Sequence, residues 1–181
     1  LIVHMDGARL FNASVQSGIN AHLFTDNCDT FWIDLTKGLG CPVGAVLLGS
    51  NEFIEEARIW KQRLGGAMRQ AGVLAGAGLF ALDNNIDRLK EDHKNAQLLR
   101  ELISTHPNLD TKSYYCDTNI VFFKLLTQVM TATEFCERTK VLGLSLQASS
   151  DSEIRAVTHL NVTSKEIKKA AEIIISVAEN L

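Results

Sequence analysis

No apolar run in this sequence is long enough to cross a bilayer. Runs such as Ala45–Gly49 and Ile173–Ile175 fall far short of the roughly 20 residues that a spanning helix needs. An excess of one charge is missing too: 18 Lys and Arg stand against 21 Asp and Glu, a formal net charge of −3. Neither nucleic acid nor an anionic membrane is therefore an expected partner. Cysteine is scarce and scattered, at Cys28, Cys41, Cys116 and Cys136, with no CxxC pair and no His at zinc-ligand spacing. The four read as reduced thiols, mostly packing, in a chain from a reducing compartment. The expected location is the cytoplasm, and no metal site is expected. The glycine-lysine phosphate loop GxxxxGK[ST] is absent, as are internal repeats, low-complexity segments and a secretory signal pattern in the opening residues.

What is present is ordinary for a soluble globular chain: 46% hydrophobic and 22% charged residues over 181 positions. That length suits one sizeable domain or a piece of a larger one. Leu1-Ile2-Val3-His4-Met5-Asp6 reads as an apolar strand already under way. A buried strand needs sheet neighbours, so a substantial further portion is expected ahead of Leu1.

Along the chain, the strand over residues 1–5 ends at Asp6, and Arg9 to Gln16 looks helical. Thr30–Asp34 is a short β-rich run, followed by the glycine-rich loop Thr36-Lys37-Gly38-Leu39-Gly40. Val43–Leu48 is a third apolar run. Glu52 to Arg63 is helical, with Phe53, Ile54, Ala57 and Trp60 on one stripe. Gly65-Gly66 interrupts, and Met68 to Asp83 is small and apolar all round, which predicts a closely packed, buried helix. Asn85 to Thr105 is a long amphipathic helix through Ile86, Leu89, His93, Ala96, Leu99 and Ile103, ended by Pro107. The character then changes to short strands (Asn119–Leu125, Leu144–Ala148, Ile154–Thr158) mixed with helices (Thr131–Leu142, Thr163–Asn180). Thr163 and Glu166 form a capping box at the start of the last one. The spacing predicts a small α+β domain over 107–181, after a part of a larger domain over 1–106.

Four places could carry chemistry. Lys37 lies between a strand end and two glycines, where backbone can approach a ligand, and in open α/β sheets ligands sit beyond the carboxyl ends of strands. A lysine there can condense with an aldehyde once burial or nearby cations make its amine available; the alternative is a solvated loop lysine. Asp6 ends an apolar strand, where a carboxylate is costly unless it meets a cation or strong donor. A protonated pyridinium nitrogen is one such partner, and an Asp6–Arg9 ion pair is the alternative. Arg69 and Arg155 are each flanked by apolar sequence and could fork onto a carboxylate or phosphate; each could equally be snorkelling or structurally paired.

Taken together and in order, these segments resemble the low-specificity threonine aldolase branch of the aspartate-aminotransferase-like pyridoxal-phosphate enzymes. The likeness runs through His4–Asn12 (HMDGARLFN), Thr36–Gly44 (TKGLGCPVG), Leu64–Gly72 (LGGAMRQAG), Asp87–Ala96 (DRLKEDHKNA) and Arg155–Val162 (RAVTHLNV). Three departures leave every functional group in place: Thr36 where Ser is usual, Gly-Gly-Ala before Met68, and Cys41 where Ala is common.

The resemblance implies an α/β fold, the later part of a mostly parallel-sheet large domain followed by a small α+β domain. It implies pyridoxal 5'-phosphate as cofactor, with Lys37 as the Schiff-base lysine and Asp6 pairing with the pyridine nitrogen. Arg9 would contact the ring oxygen and help at the substrate end. Arg69 would lie near the cofactor phosphate at a subunit boundary, and Arg155 would bind the substrate carboxylate. The implied reaction is retro-aldol cleavage of a β-hydroxy amino acid such as threonine to glycine and an aldehyde, in a homodimer or homotetramer with shared sites. Two rival readings are a β-eliminating lyase of the same cofactor class and a catalytically silent homologue. The family's phosphate-cradling loop, ring-stacking residue and catalytic base are expected to precede Leu1.

Overall fold

A computed structural model describes residues 1–180. They form two compact units, one over Leu1–Leu89 and one from Lys90 onward.

The first unit runs β1 (His4–Gly7), α1 (Leu10–Ser17), α2 (Ala21–Thr25), β2 (Thr30–Asp34), β3 (Ala45–Leu48), α3 (Asn51–Arg63) and α4 (Gly72–Asn84). Its sheet has the order β1-β2-β3. β1 and β2 are parallel, which requires a crossover, and α1 with α2 supplies it. β3 returns antiparallel to β2. Alternation sorts the two parallel strands into faces. Met5, Phe31 and Ile33 point to a core completed by Leu10, Leu35, Leu39, Cys41 and Ala81. His4, Asp6, Thr30, Trp32 and Asp34 occupy the other face, and the bond of 2.7 Å between His4 Nδ1 and Thr30 Oγ1 joins two of them.

Two expectations fail in this unit. The apolar opening was expected to be a strand from Leu1, but Leu1 and Ile2 are exposed and outside the ladder. Pairing begins only where Val3 O accepts from Asp29 N at 2.9 Å. The apolar helix after Met68 was expected to be buried, yet α4 buries only Gly78 and Ala81. Val73, Leu79 and Phe80 are 80%, 65% and 62% exposed. A helix apolar on every side packs one side on this core, and among the described residues its other side stays exposed.

The second unit contains α5 (Leu89–Ile103), which begins at the division, then β4 (Leu109–Asp110), β5 (Ile120–Leu125), α6 (Ala132–Val141), β6 (Gln147–Ala148), β7 (Glu153–Val157) and α7 (Ser164–Ala178). Its antiparallel sheet has the order β4-β5-β7-β6. Val121, Phe123 and Leu125 on β5, with Ile154 and Ala156 on β7, turn one face toward the helices. Over them lie Ala96, Leu99 and Ile103 of α5, Phe135 of α6, and Ile167, Ala171 and Ile174 of α7. Phe123 meets Phe135 edge-on, centroids 6.2 Å apart. That apolar stripe is why α5 belongs to this unit, so the division falls ahead of Pro107, where the sequence changes character. Capping boxes at Thr131/Glu134 and Thr163/Glu166 start α6 and α7.

Burial pushes the Cys41, Cys116 and Cys136 thiols up, as suits packing residues. Among the described residues no helix is long and apolar enough to cross a membrane.

Candidate active site

The site grows out of the carboxyl end of β2. Asp34, its last residue, makes a turn of itself: Oδ1 accepts from Thr36 N at 2.7 Å, from Thr36 Oγ1 at 2.5 Å and from Lys37 N at 3.3 Å. This is the way an aspartate folds the chain back within two residues. The second oxygen, Oδ2, receives Lys37 Nζ at 3.2 Å. The same amine stands 5.2 Å from the centre of the Trp32 ring. Lys37 is 37% exposed at its side chain and Asp34 only 11%.

Burial pushes the Asp34 carboxyl up, but the bonds from the Thr36 side chain and backbone and from Lys37 outweigh it and hold it below the usual carboxylate range. For a depressed acid the linked stabilisation is complete above the unfolded pKa and is lost as pH falls through the folded one. The Asp34 anion therefore persists below the pH at which a free carboxylate would protonate.

The loop beyond Lys37 is fastened from beneath. Leu35 N bonds Gly44 O at 3.0 Å, Cys41 N bonds Leu35 O at 2.8 Å, and Asn85 Nδ2 donates to Leu39 O at 2.8 Å. A Cβ at Gly38 would come within 2.9 Å of Asn12 Oδ1 and 3.0 Å of Leu89 Cδ2. Glycine is needed here for close approach rather than for freedom.

Asp6 lies opposite Trp32 in the parallel ladder, so its carboxylate shares the face onto which Lys37 turns. It is exposed and accepts from Ala8 N at 3.0 Å. The expectation that a costly buried carboxylate here demands a cation is thus corrected: the register puts Asp6 on the solvent side of the strand. Lys37 departs similarly, since the group beside it is a carboxylate and not a cation.

Arg9 is half-buried where α1 begins and lines one small crevice with Asp34, Gly38 and Leu39. Arg69 is exposed in the connection between α3 and α4, beside Gln70, whose φ of 54° is left-handed. Arg155 lies in the second unit, on β7 opposite Phe122, and its Nη1 donates to Gln147 Oε1 at 3.1 Å. The structure therefore gathers Asp6, Arg9 and Lys37 around one strand end, and places Arg69 on an exposed connection and Arg155 in another sheet. A concavity of about 700 Å³ along the start of α7 is lined by none of these five residues.

Sequence reasoning missed Asp34 and Trp32. The signal was there: an Asp two residues before a Thr at a strand end is turn chemistry, and alternation then puts residue 32 on the same face. Gly7 is a second missed constraint, because a Cβ there would sit 2.3 Å from Trp32 O. Gly7→Ala must push β1 off β2, and a loss of about 3 kcal/mol, the upper end of overpacking costs, is expected. Urea unfolding of the full-length variant measures it; an unchanged midpoint would mean that the strands part easily.

The donor set suits pyridoxal phosphate. A partly exposed amine can meet its aldehyde, an exposed carboxylate on the same face can meet its ring nitrogen, and an indole stands beside the amine.

The fold is that of the aspartate-aminotransferase-like pyridoxal-phosphate enzymes. A threonine aldolase from Leishmania major superposes with a TM-score of 0.72 at 18% identity, over 98% of this chain and 52% of that one. Ornithine delta-aminotransferase from Plasmodium falciparum does so with 0.66 at 12%, over 99% and 47%. Residues 1–125 match the beta-eliminating lyase family model, and the chain belongs to that pyridoxal-phosphate-dependent family. It is 40% identical to the low specificity L-threonine aldolase of Escherichia coli K12, over 94% of this chain and 49% of that protein. Low-specificity L-threonine aldolase 1 of Arabidopsis thaliana is 38% identical over 91% and 46%. The chain thus spans about half the length of the curated relatives that it matches.

Proposed function

We propose that the full-length protein is a pyridoxal-phosphate-dependent aldolase that cleaves L-threonine, allo-threonine or a related β-hydroxy amino acid to glycine and an aldehyde. The observation that carries this is the placement of Lys37 and Asp6 on one face at the carboxyl ends of adjacent parallel strands. When bound, the cofactor supplies an electron sink in contact with the substrate α-carbon, which is what lets the Cα–Cβ bond break.

The chain's own residues do the rest. Lys37 Nζ is the nucleophile that holds the cofactor aldehyde. Asp6 keeps a proton on the ring nitrogen, since an anion there favours the charged ring. Arg9, at the start of α1, contacts the ring oxygen and the substrate end. Arg69 serves the phosphate end at a subunit boundary. Arg155 takes the substrate carboxylate; its guanidinium uses one Nη on Gln147 and has further donors to offer. The cofactor-binding large domain takes in residues 1–106 and the small one 107–181, with α5 the large-domain helix whose apolar stripe packs with the small domain's sheet. The protein belongs in the cytoplasm, and its assembly is a homodimer or homotetramer, the latter supported by the exposed apolar side chains of α4.

Borohydride reduction of the full-length protein with its cofactor, followed by peptide mapping, should find the label on Lys37. Acetaldehyde release from threonine should accompany it. Label on Lys61 or Lys90 would overturn the lysine assignment, and cleavage without acetaldehyde would favour a β-eliminating lyase.

A further inference from the structure

We infer that Asp34 is a positioning residue for Lys37, an acid on which the lysine amine docks whenever it is not holding the cofactor. The inference rests on Lys37 being the cofactor-bearing lysine. Its geometric basis is the division of labour between the two oxygens of one carboxylate. Oδ1 is committed to the turn by three donors, and those bonds fix the rotation of the group. Oδ2 is thereby aimed at Lys37 Nζ. Trp32 offers the amine a second attractive surface, as an indole face does for a cation.

The pair contributes little to stability, because one partner is more than a third exposed and such pairs contribute about 1 kcal/mol or less. Its effect is instead on where the amine spends its time. A free lysine side chain is spread over many rotamers; this one is held at the strand end by an acid that is itself held.

The chemistry gives that place a use in each turnover. A substrate amine arrives as an ammonium. When it replaces Lys37 on the cofactor carbon, a C=N bond would form to the substrate nitrogen as the C=N bond to Lys37 breaks. The three protons carried by the substrate nitrogen would end on the lysine nitrogen. The released group is an ammonium, and Asp34 Oδ2 is the anion waiting within reach of it. Docked there, Lys37 does not return at once to displace the substrate, so Asp34 favours substrate occupancy.

Asp34→Asn separates the two jobs: the amide oxygen can still make the turn, while the amide nitrogen presents donors to the lysine. Full-length protein stripped of cofactor would be treated with an acetylating ester at neutral pH, and each lysine followed by mass spectrometry, with exposed Lys61 and Lys90 as internal references. Acetylation of Lys37 relative to them should rise about fivefold in Asp34→Asn, the size of a part-exposed ion pair. Thr36→Val, which removes one of the three turn bonds but leaves the anion, should give a much smaller rise. In the loaded enzyme the KM for threonine should rise about fivefold in Asp34→Asn, more than kcat changes. Unchanged Lys37 acetylation in Asp34→Asn, or an equal rise in Thr36→Val, would overturn the docking role. Failure of the functional reading looks different: Lys37→Ala would then keep the cofactor colour whatever Asp34 does.

Discussion

Lys37→Ala in the full-length enzyme is expected to abolish the visible colour of bound cofactor and to reduce threonine cleavage by at least about a thousandfold. The fold should hardly notice. The side chain is 37% exposed, and its one ion pair contributes about 1 kcal/mol at most. Lys37→Arg sharpens the test, because it keeps a cation for Asp34 yet cannot condense with an aldehyde. Both variants should be colourless, with urea midpoints close to the parent. Absorbance, a threonine assay and an unfolding curve decide the matter, and a coloured Lys37→Arg protein would contradict the assignment.

Asp6→Asn should give the second large effect, with a different signature. The carboxylate is exposed, and its one hydrogen bond, from Ala8 N, can be accepted equally by an asparagine oxygen. Folding and cofactor binding should therefore survive. What disappears is the negative charge assigned above to keeping the ring nitrogen protonated, and with it much of the electron sink. Turnover should fall on the order of a hundredfold to a thousandfold, the usual size for removing one well-placed electrostatic partner. Near-normal turnover in a folded, coloured Asp6→Asn enzyme would mean that Asp6 does not meet the ring.

Much of the fold could be read from the residues because local signals agreed with one another. The run Thr30–Asp34 is β2 with those same bounds, with Phe31 and Ile33 packed on the core. The Thr163/Glu166 capping box starts α7, and the predicted stripe of α5 is buried at Leu89, His93, Ala96, Leu99 and Ile103. The failures share a cause. An apolar residue records what a position would bury against, not whether this chain brings the partner, which is why Leu1, Val73 and Phe80 were expected inside and lie outside. Asp34 was passed over for another reason. Its importance lies in the four bonds that it accepts, and these exist only once the turn has formed.

The fastened loop after β2 has a consequence for motion. Three backbone or asparagine bonds tie Leu35, Leu39 and Cys41 to Gly44, Asn85 and one another, and Gly38 is wedged against Asn12 and Leu89. A segment held at so many points keeps pace with its sheet, so the Leu35 and Cys41 amides should resist hydrogen–deuterium exchange as strand amides do. The glycines in Lys37-Gly38-Leu39-Gly40 therefore do not mark a lid. With Lys37 in the role proposed above, the motion expected at this loop during turnover is one side chain swinging on a still backbone, and slow gating is expected from another part of the protein.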